Sequence, residues 1–271
     1  MWEKVNDIAD SIRSTIPASP KAGIVLGTGL GGLVGEIAHS SSFSFAEIRD
    51  FPVTSVEGHA GKLIFGTLGN KEVVVMQGRI HAYEGVSMQD IVLPIRVMHR
   101  LGIRLLILTN ASGGLNPILK IGDLMLVTDQ INLMNSNPLI GKYDKRFGDR
   151  FPDMSEVFDK SIISRVMQIA RAHQVPLQSG ILAAATGPTF ETRAEYAYMR
   201  FLGADAVGMS IIPEAIAARQ LNLPCLAITV ISDLGIPDQI TKVSHAEVQQ
   251  AASRAEPLLT LLIKKLLEGW Q

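Results

Sequence analysis

The chain has 271 residues, of which 47 % are hydrophobic and 19 % charged, with a formal net charge of −1. That length suits one large α/β domain rather than two small ones, and the composition excludes a largely disordered chain. Near-neutral charge without a run of Lys and Arg gives no electrostatic support for a nucleic-acid or membrane-surface partner. The one cysteine, Cys225, excludes an intramolecular disulfide; it lies in the apolar run 223–231, where a buried thiol is expected. The opening MWEKVNDIADSIRS has charges spaced through it, and no run approaches the roughly 18 apolar residues of a membrane helix. A cytoplasmic location is the expectation.

In chain order, apolar positions at helical spacing predict an amphipathic helix over 3–16. KAGIVL, 21–26, reads as a buried strand running into the Gly-rich loop GTGLGG, 27–32. Residues 63–68 and 73–77 read as strands joined at Gly69-Asn70, a hairpin signal. Residues 89–101 read as a helix whose start Pro94 leaves open. RLLILT, 104–109, is another buried strand. A helix over 155–173 and a strand over 180–185 follow. Then come a helix over 193–202, a short strand over 204–207, a helix over 213–221, a strand over 226–231 and a closing helix over 244–267. Strands alternating with helices predict an α/β layer fold, and the hairpin makes its central sheet mixed, mainly parallel, with helices flanking it. The stretch 132–152, rich in Asn, Gly, Pro and charge, is either a linker or a functional loop. One domain over 1–271 is expected.

Five segments at strand ends could carry chemistry. Gly27, Gly29 and Gly32 satisfy G-x-G-x-x-G after a strand. A dinucleotide site would then need a second strand ending in Asp or Glu about 20 residues on, and HSSSFSFAEIRDFP is not a convincing strand at that place. An anion cradle of backbone N–H groups and the Thr28 hydroxyl remains, beside the plainer reading of a turn that needs Gly. In GRIHAYEG, Arg79, His81 and Tyr83 alternate, so an extended backbone puts them on one face. Arg and His there suit a phosphate, with bidentate guanidinium contact; a solvated strand end fits equally. Small residues in TNASGGLN, 109–116, let a flat ligand approach the backbone. In TGPTFETRAEY, Phe190 and Glu191 offer an aromatic face and an acceptor for a flat ring, or merely an acidic helix start. VGMS brings Ser210 to a strand-to-helix turn, as an anion donor or an N-cap. Six histidines without a close-spaced ligand pair, and one cysteine, argue against metal catalysis, and no G-x-S-x-G elbow is present.

GTGLGGL, EGHAGKL, GRIHAYEG, NASGGLN, RFGDRFP, GPTFET, VGMS and SHAEV, in this order over about residues 20–250, resemble the purine nucleoside phosphorylases of the trimeric, inosine- and guanosine-cleaving class. The related methylthioadenosine phosphorylases share the fold and some of the loops. The resemblance implies phosphate-dependent cleavage of a purine nucleoside, or its deoxy form, to free base and (deoxy)ribose 1-phosphate. It implies phosphate held by Thr28, Arg79, His81, Ser210 and the backbone around Ala111, with His59 at the phosphate entrance. Ribose would lie against Tyr83 and Met209, with His245 at the 5′-hydroxyl. The base would meet Phe190, Glu191 and Asp233, and His81, Glu191 and Asp233 would be the catalytic groups. Phe151 matches a residue that reaches into a neighbouring subunit's site, implying a homotrimer. Inorganic phosphate is then a co-substrate, and no metal or organic cofactor is needed. Two residues depart from the pattern. Thr28 replaces the usual Ser and keeps its hydroxyl. Asp233 replaces the usual Asn; an ionised Asp only accepts hydrogen bonds, which favours a 6-amino over a 6-oxo purine, whereas a carboxyl protonated through burial imitates Asn. Thr189, where Asn is common, has no evident consequence. The competing readings are a methylthioadenosine or adenosine phosphorylase, a dinucleotide-dependent oxidoreductase, and a nucleoside-binding protein without activity.

Overall fold

A computed structural model describes the chain except residues 57, 237–239 and 271, and for residues 39 and 40 it describes the backbone alone. Glu57 of EGHAGKL and the side chain of His39 therefore lie outside the described residues. The first helix, α1 (Trp2–Arg13), buries Val5, Ile8, Ala9 and Ile12 along one stripe, as its spacing predicts. Strand β1 (Ala22–Leu26) is buried at every position, the mark of a strand covered on both faces. After the Gly-rich loop come β2 (Ala38–Ser44) and the hairpin β3 (Lys62–Leu68) and β4 (Lys71–Gln77).

The helix predicted over 89–101 is two pieces, α2 (Met88–Ile91) and α3 (Leu93–Leu101). Pro94 stands in the first turn of α3, where its missing N–H costs nothing. Next are β5 (Leu105–Gly114), β6 (Leu124–Asn132) and α4 (Lys160–Ala172). Helix α4 starts five residues later than predicted because Asp159 caps it, accepting from the Ile162 N–H at 3.0 Å. The chain closes with β7 (Leu177–Ala184), α5 (Arg193–Phe201), β8 (Ala206–Gly208), α6 (Ile212–Gln220), β9 (Cys225–Leu234) and α7 (His245–Gly269).

The sheet is mixed, with parallel pairing of β1 to β4 and β5, of β5 to β9, and of β7 to β6 and β8. It is not the open layer that alternation alone suggests. Strand β5 pairs with β8 as well as β9, and β9 also pairs with β6, so β5, β8, β7, β6 and β9 close into a ring. The long strands β5 and β9 shift register at Ser112/Gly113, where they turn from the open sheet into the ring. Helices α1, α3 and α6 share one apolar core, and α4 and α7 share another. Among the described residues no helix is long and apolar enough to cross a membrane.

Candidate active site

Strands β1, β4, β5 and β9 run parallel, so the loops or strand ends that follow their cores gather at one edge. There a cavity of about 440 Å³ opens. Thr28, Arg79, His81, Tyr83, Ala111, Phe190, Glu191, Met209, Ser210, Asp233 and His245 all line it. His59 stands just behind, its Nε2 3.1 Å from the Thr28 hydroxyl. Of the predicted site residues, only Phe151 lies elsewhere. Its side chain is 89 % exposed in a separate groove with Leu139, Ile140 and Met154.

Arg79 dominates one side of the cavity. It is 1 % exposed. Its Nε donates to Glu214 Oε1 at 2.6 Å and its Nη1 to the Thr109 carbonyl at 2.6 Å. Nη2 is buried and has no protein partner. A buried donor left open at a cavity wall is a donor for a ligand, and the fixed guanidinium suits an oxyanion.

His81 is held from behind by Glu84. Oε1 of Glu84 accepts from the His81 backbone N–H at 2.7 Å and lies 3.2 Å from Nδ1. Oε2 accepts from the Ser55 backbone N–H at 2.5 Å and its hydroxyl at 2.9 Å. Burial works against the Glu84 charge, yet the donors from His81 and Ser55 hold its pKa down to about 2. An ionised carboxylate only accepts, so Nδ1 carries the ring proton and Nε2 keeps a lone pair in the neutral ring. Burial, opposed by Glu84, lowers the pKa of His81. His59 is lowered to about 4, first by burial and then by His81. Its Nδ1 lies 3.0 Å from the Arg79 backbone nitrogen and 3.1 Å from the Arg79 carbonyl oxygen, so either neutral tautomer is bonded there while Nε2 pairs with the Thr28 hydroxyl. The Tyr83 ring stacks on His81 at 4.7 Å, and burial raises its hydroxyl to about 12.

The Ser210 hydroxyl enters the cavity through a strained turn. Ile211 has φ 73° and ψ −52°, and the Ile212 N–H donates to the Ser210 carbonyl at 2.9 Å. This is a γ-turn with a β-branched residue at positive φ, a costly arrangement. It sets Ser210 immediately before α6, where helix N–H groups and dipole favour negative charge.

Thr109, which fixes Arg79, and Gly113, which faces Asp233 across the β5–β9 pairing, are four residues apart on β5, or roughly 13 Å along an extended strand. The cavity therefore presents cationic donors at one place and carboxyl groups at another. Asp233 accepts from the Ser232 hydroxyl at 2.7 Å, but burial outweighs that bond and raises its pKa. Glu191 is raised as well, first by burial and also by Asp233 nearby, with Tyr196 opposing. Two carboxyl groups pushed upward in one pocket can supply both an acceptor and a protonated donor.

Three residues of the site escape a reading of strand-end motifs. Asn110 is buried, lines the cavity and has an Nδ2 without a partner. Glu84 and Glu214 hold His81 and Arg79. A lone acid in the apolar run of α6 is the available signal for Glu214, since buried acids need a cation; the three-residue spacing from His81 is the signal for Glu84.

The phosphorylase superfamily model matches residues 21–268. The chain is 44 % identical over 273 residues to purine nucleoside phosphorylase 1 of Bacillus subtilis, covering 100 % of both chains. It is 41 % identical to the purine nucleoside phosphorylase of Rattus norvegicus, covering 99 % of this chain and 95 % of the relative. A crystal structure of the Schistosoma mansoni purine nucleoside phosphorylase in complex with adenosine superposes with a TM-score of 0.95 at 35 % identity, covering 99 % of this chain and 98 % of the other. A structure of that protein in complex with inosine gives 0.94 at 35 % identity, covering 99 % and 97 %.

Proposed function

The chain belongs to the phosphorylase superfamily and, within it, to the purine nucleoside phosphorylases, and from that premise we propose how its cavity cleaves a purine nucleoside with inorganic phosphate. The observation that carries the reading is the Arg79 guanidinium. It is fixed by Glu214 and Thr109 with Nη2 left open, in the same cavity as the raised carboxyls Glu191 and Asp233. A co-substrate anion and a base that must be protonated as it leaves call for that pairing. Phosphate sits among Arg79, His81, Thr28, Ser210 and the backbone at Ala111, with His59 orienting Thr28. The ribose lies against Tyr83 and Met209, with His245 at its 5′-hydroxyl. Phe190 covers the base, and Glu191 and Asp233 bind its edge.

Phosphate attacks C1′ as the glycosidic bond breaks. The sugar becomes oxocarbenium-like and is stabilised by the phosphate dianion that Arg79 holds. The electron pair of the breaking bond goes to the purine, whose N7 takes the proton that the raised Asp233 carboxyl carries, leaving Asp233 ionised, while Glu191 stays bonded to the base. Fixed donors aimed at developing charge contribute about 10²–10³ each in rate, and positioning both reactants adds to this. The products are free base and ribose, or deoxyribose, 1-phosphate. This chemistry needs no metal or organic cofactor. We place the enzyme in the cytoplasm as one domain over 1–271, assembled as a homotrimer in which Phe151 completes a neighbour's cavity; its 89 % exposure supports that role.

Asp233 supports a broader base range than 6-oxopurines, and the Schistosoma protein's complexes with adenosine and with inosine favour the same view. A dinucleotide-dependent oxidoreductase has no such support, because β1 lies between β4 and β5 and not beside the strand that follows the Gly-rich loop. The test is base release from inosine, guanosine and adenosine, each with and without phosphate. Phosphate-dependent hypoxanthine release is expected. No release from any of the three removes the general purine nucleoside reading, and leaves a methylthioadenosine phosphorylase or a binding protein.

A further inference from the structure

A second cavity, of about 490 Å³, is walled by α3, the start of α1 and the segment 138–150. It shares no lining residue with the nucleoside cavity. Arg96 reaches it from the middle of α3, whose other basic residues, His99 and Arg100, stand in the last turn, and it is only 6 % exposed. Its guanidinium lies 4.4 Å above the Phe147 ring, which covers one flat face and leaves the N–H edge for hydrogen bonding. Nε has no partner, and among the described residues no carboxylate stands within ion-pair distance of the group. The acids lining the cavity, Glu3 and Asp144, both pair with Arg146, at 3.1 and 2.6 Å. Arg150 donates to the carbonyls of Leu139 and Gly141, which leave its charge uncompensated, and Lys142 lines the same wall. Asp144, already bonded to Arg146, acts on Arg96 only at longer range, and a buried cation without a bonded anion is costly unless one is supplied.

Gln220 adds a second requirement. It is buried, and its Nε2 donates to the Asp149 carbonyl at 3.2 Å. Its Oε1 has no donor, so the cavity offers one open acceptor beside several cationic donors. An oxyanion that retains one O–H satisfies both kinds of group; a bare dianion does not. We propose that this cavity is a second oxyanion site, for a protonated phosphate group, separate from the co-substrate phosphate at Arg79. The group could be free inorganic phosphate or the head of a small phosphomonoester, and recognition of the phosphoryl oxygens is common to both.

Titration calorimetry of the full chain with inorganic phosphate tests this. Two phosphates per chain are expected for the unmodified protein, one for Arg79→Gln, and none for Arg79→Gln combined with Arg96→Met. Sulfate, which carries no proton near neutral pH, should bind the second site about tenfold more weakly, as loss of one charge-assisted hydrogen bond requires. Should Arg96→Met fail to fold, Lys142→Ala and Gln220→Met in the Arg79→Gln background serve instead, each weakening the remaining site about fivefold or more. Competition by glycerol phosphate assigns a monoester, and its absence assigns free phosphate. One phosphate per unmodified chain, or a second site indifferent to all three substitutions, overturns the proposal. So does a change of sedimenting mass in Arg96→Met with phosphate stoichiometry unchanged, which would make the cavity an interface between copies.

Discussion

At the scale of single residues, the proposed function makes Asp233 the residue that sets which base the cavity prefers. An Asn here would donate to O6 and accept from N7–H at once. An ionised Asp accepts only, and the 6-amino group of adenine is its natural donor. Burial raises the Asp233 pKa, so a protonated fraction can treat a 6-oxopurine as Asn does. Both classes of base are then accommodated, neither ideally. Mismatched buried polar groups cost about 1–3 kcal/mol, or roughly fivefold to 150-fold in relative rate. Asp233→Asn should therefore lower the adenosine-to-inosine ratio of kcat/KM by at least about fivefold. Parallel kinetics on the two nucleosides measure it, and an unchanged ratio would remove Asp233 from the specificity argument. The Asp233 departure was legible in the sequence because its motif was. The supports behind Arg79 and His81 were not: Glu214 and Glu84 act through contacts made only once α6 reaches the segment that follows β4 and the chain turns after His81.

At the scale of elements, the closeness of β8 to β5 makes the cavity narrow. A Cβ on Gly208 would stand 2.7 Å from Asn110 Nδ2 and 3.1 Å from Ser112 Oγ, so the glycine is required by approach, not by turn geometry. Gly208→Ala should destabilise by about 1–3 kcal/mol through overpacking and raise KM for nucleoside by displacing Asn110. Adding Asn110→Ala should recover most of the stability, because it removes the side chain that the new methyl meets; urea unfolding of the single and double variants checks this. The elements themselves were largely readable where burial was strong, as in β1, β5 and β9. Two strands were not. In β2 the run HSSSFS carries few apolar positions, because the strand sits at the sheet edge with β3 as its neighbour; Phe43 packs as a strand residue should, against Phe65 at 5.7 Å. In β6 the first half is fully buried while the second half is half-exposed and polar, so its pattern fades into the loop that follows. Ring closure was also beyond the sequence, since local periodicity holds no record of which distant strand pairs with which.

At the scale of the whole molecule, proton binding and the proposed assembly are the two global properties that bear on the site. His59 titrates at about 4 in the fold and near 6.5 in the unfolded chain. Between those values the unfolded chain binds the extra proton, so stability rises with pH across that window and is lost as pH falls through it. His81 is lowered as well and acts in the same direction. Glu84, held at about 2, extends the loss below its ordinary carboxylate range. Glu191 and Asp233 are raised and act oppositely above theirs. Urea midpoints should fall between pH 6.5 and 4, and His59→Gln should make that fall shallower by about one proton; an identical slope would show that His59 is not buried neutral. Assembly is a sharper question, because it concerns where one cavity ends. Phe151 is 89 % exposed, with the Arg150 guanidinium 6.0 Å from its ring, and removing it should leave folding intact while raising KM for nucleoside about tenfold, as for an aromatic anchor at an interface. A Phe151→Ala chain keeps its own Arg79, and an Arg79→Ala chain keeps its own Phe151. Co-assembled, the second can complete the cavity of the first. Refolding the two together should therefore restore nucleoside affinity to a fraction of the sites, whereas the same chains mixed after separate assembly should not. If Phe151 served only its own chain, both mixtures would show merely the average of the two variants.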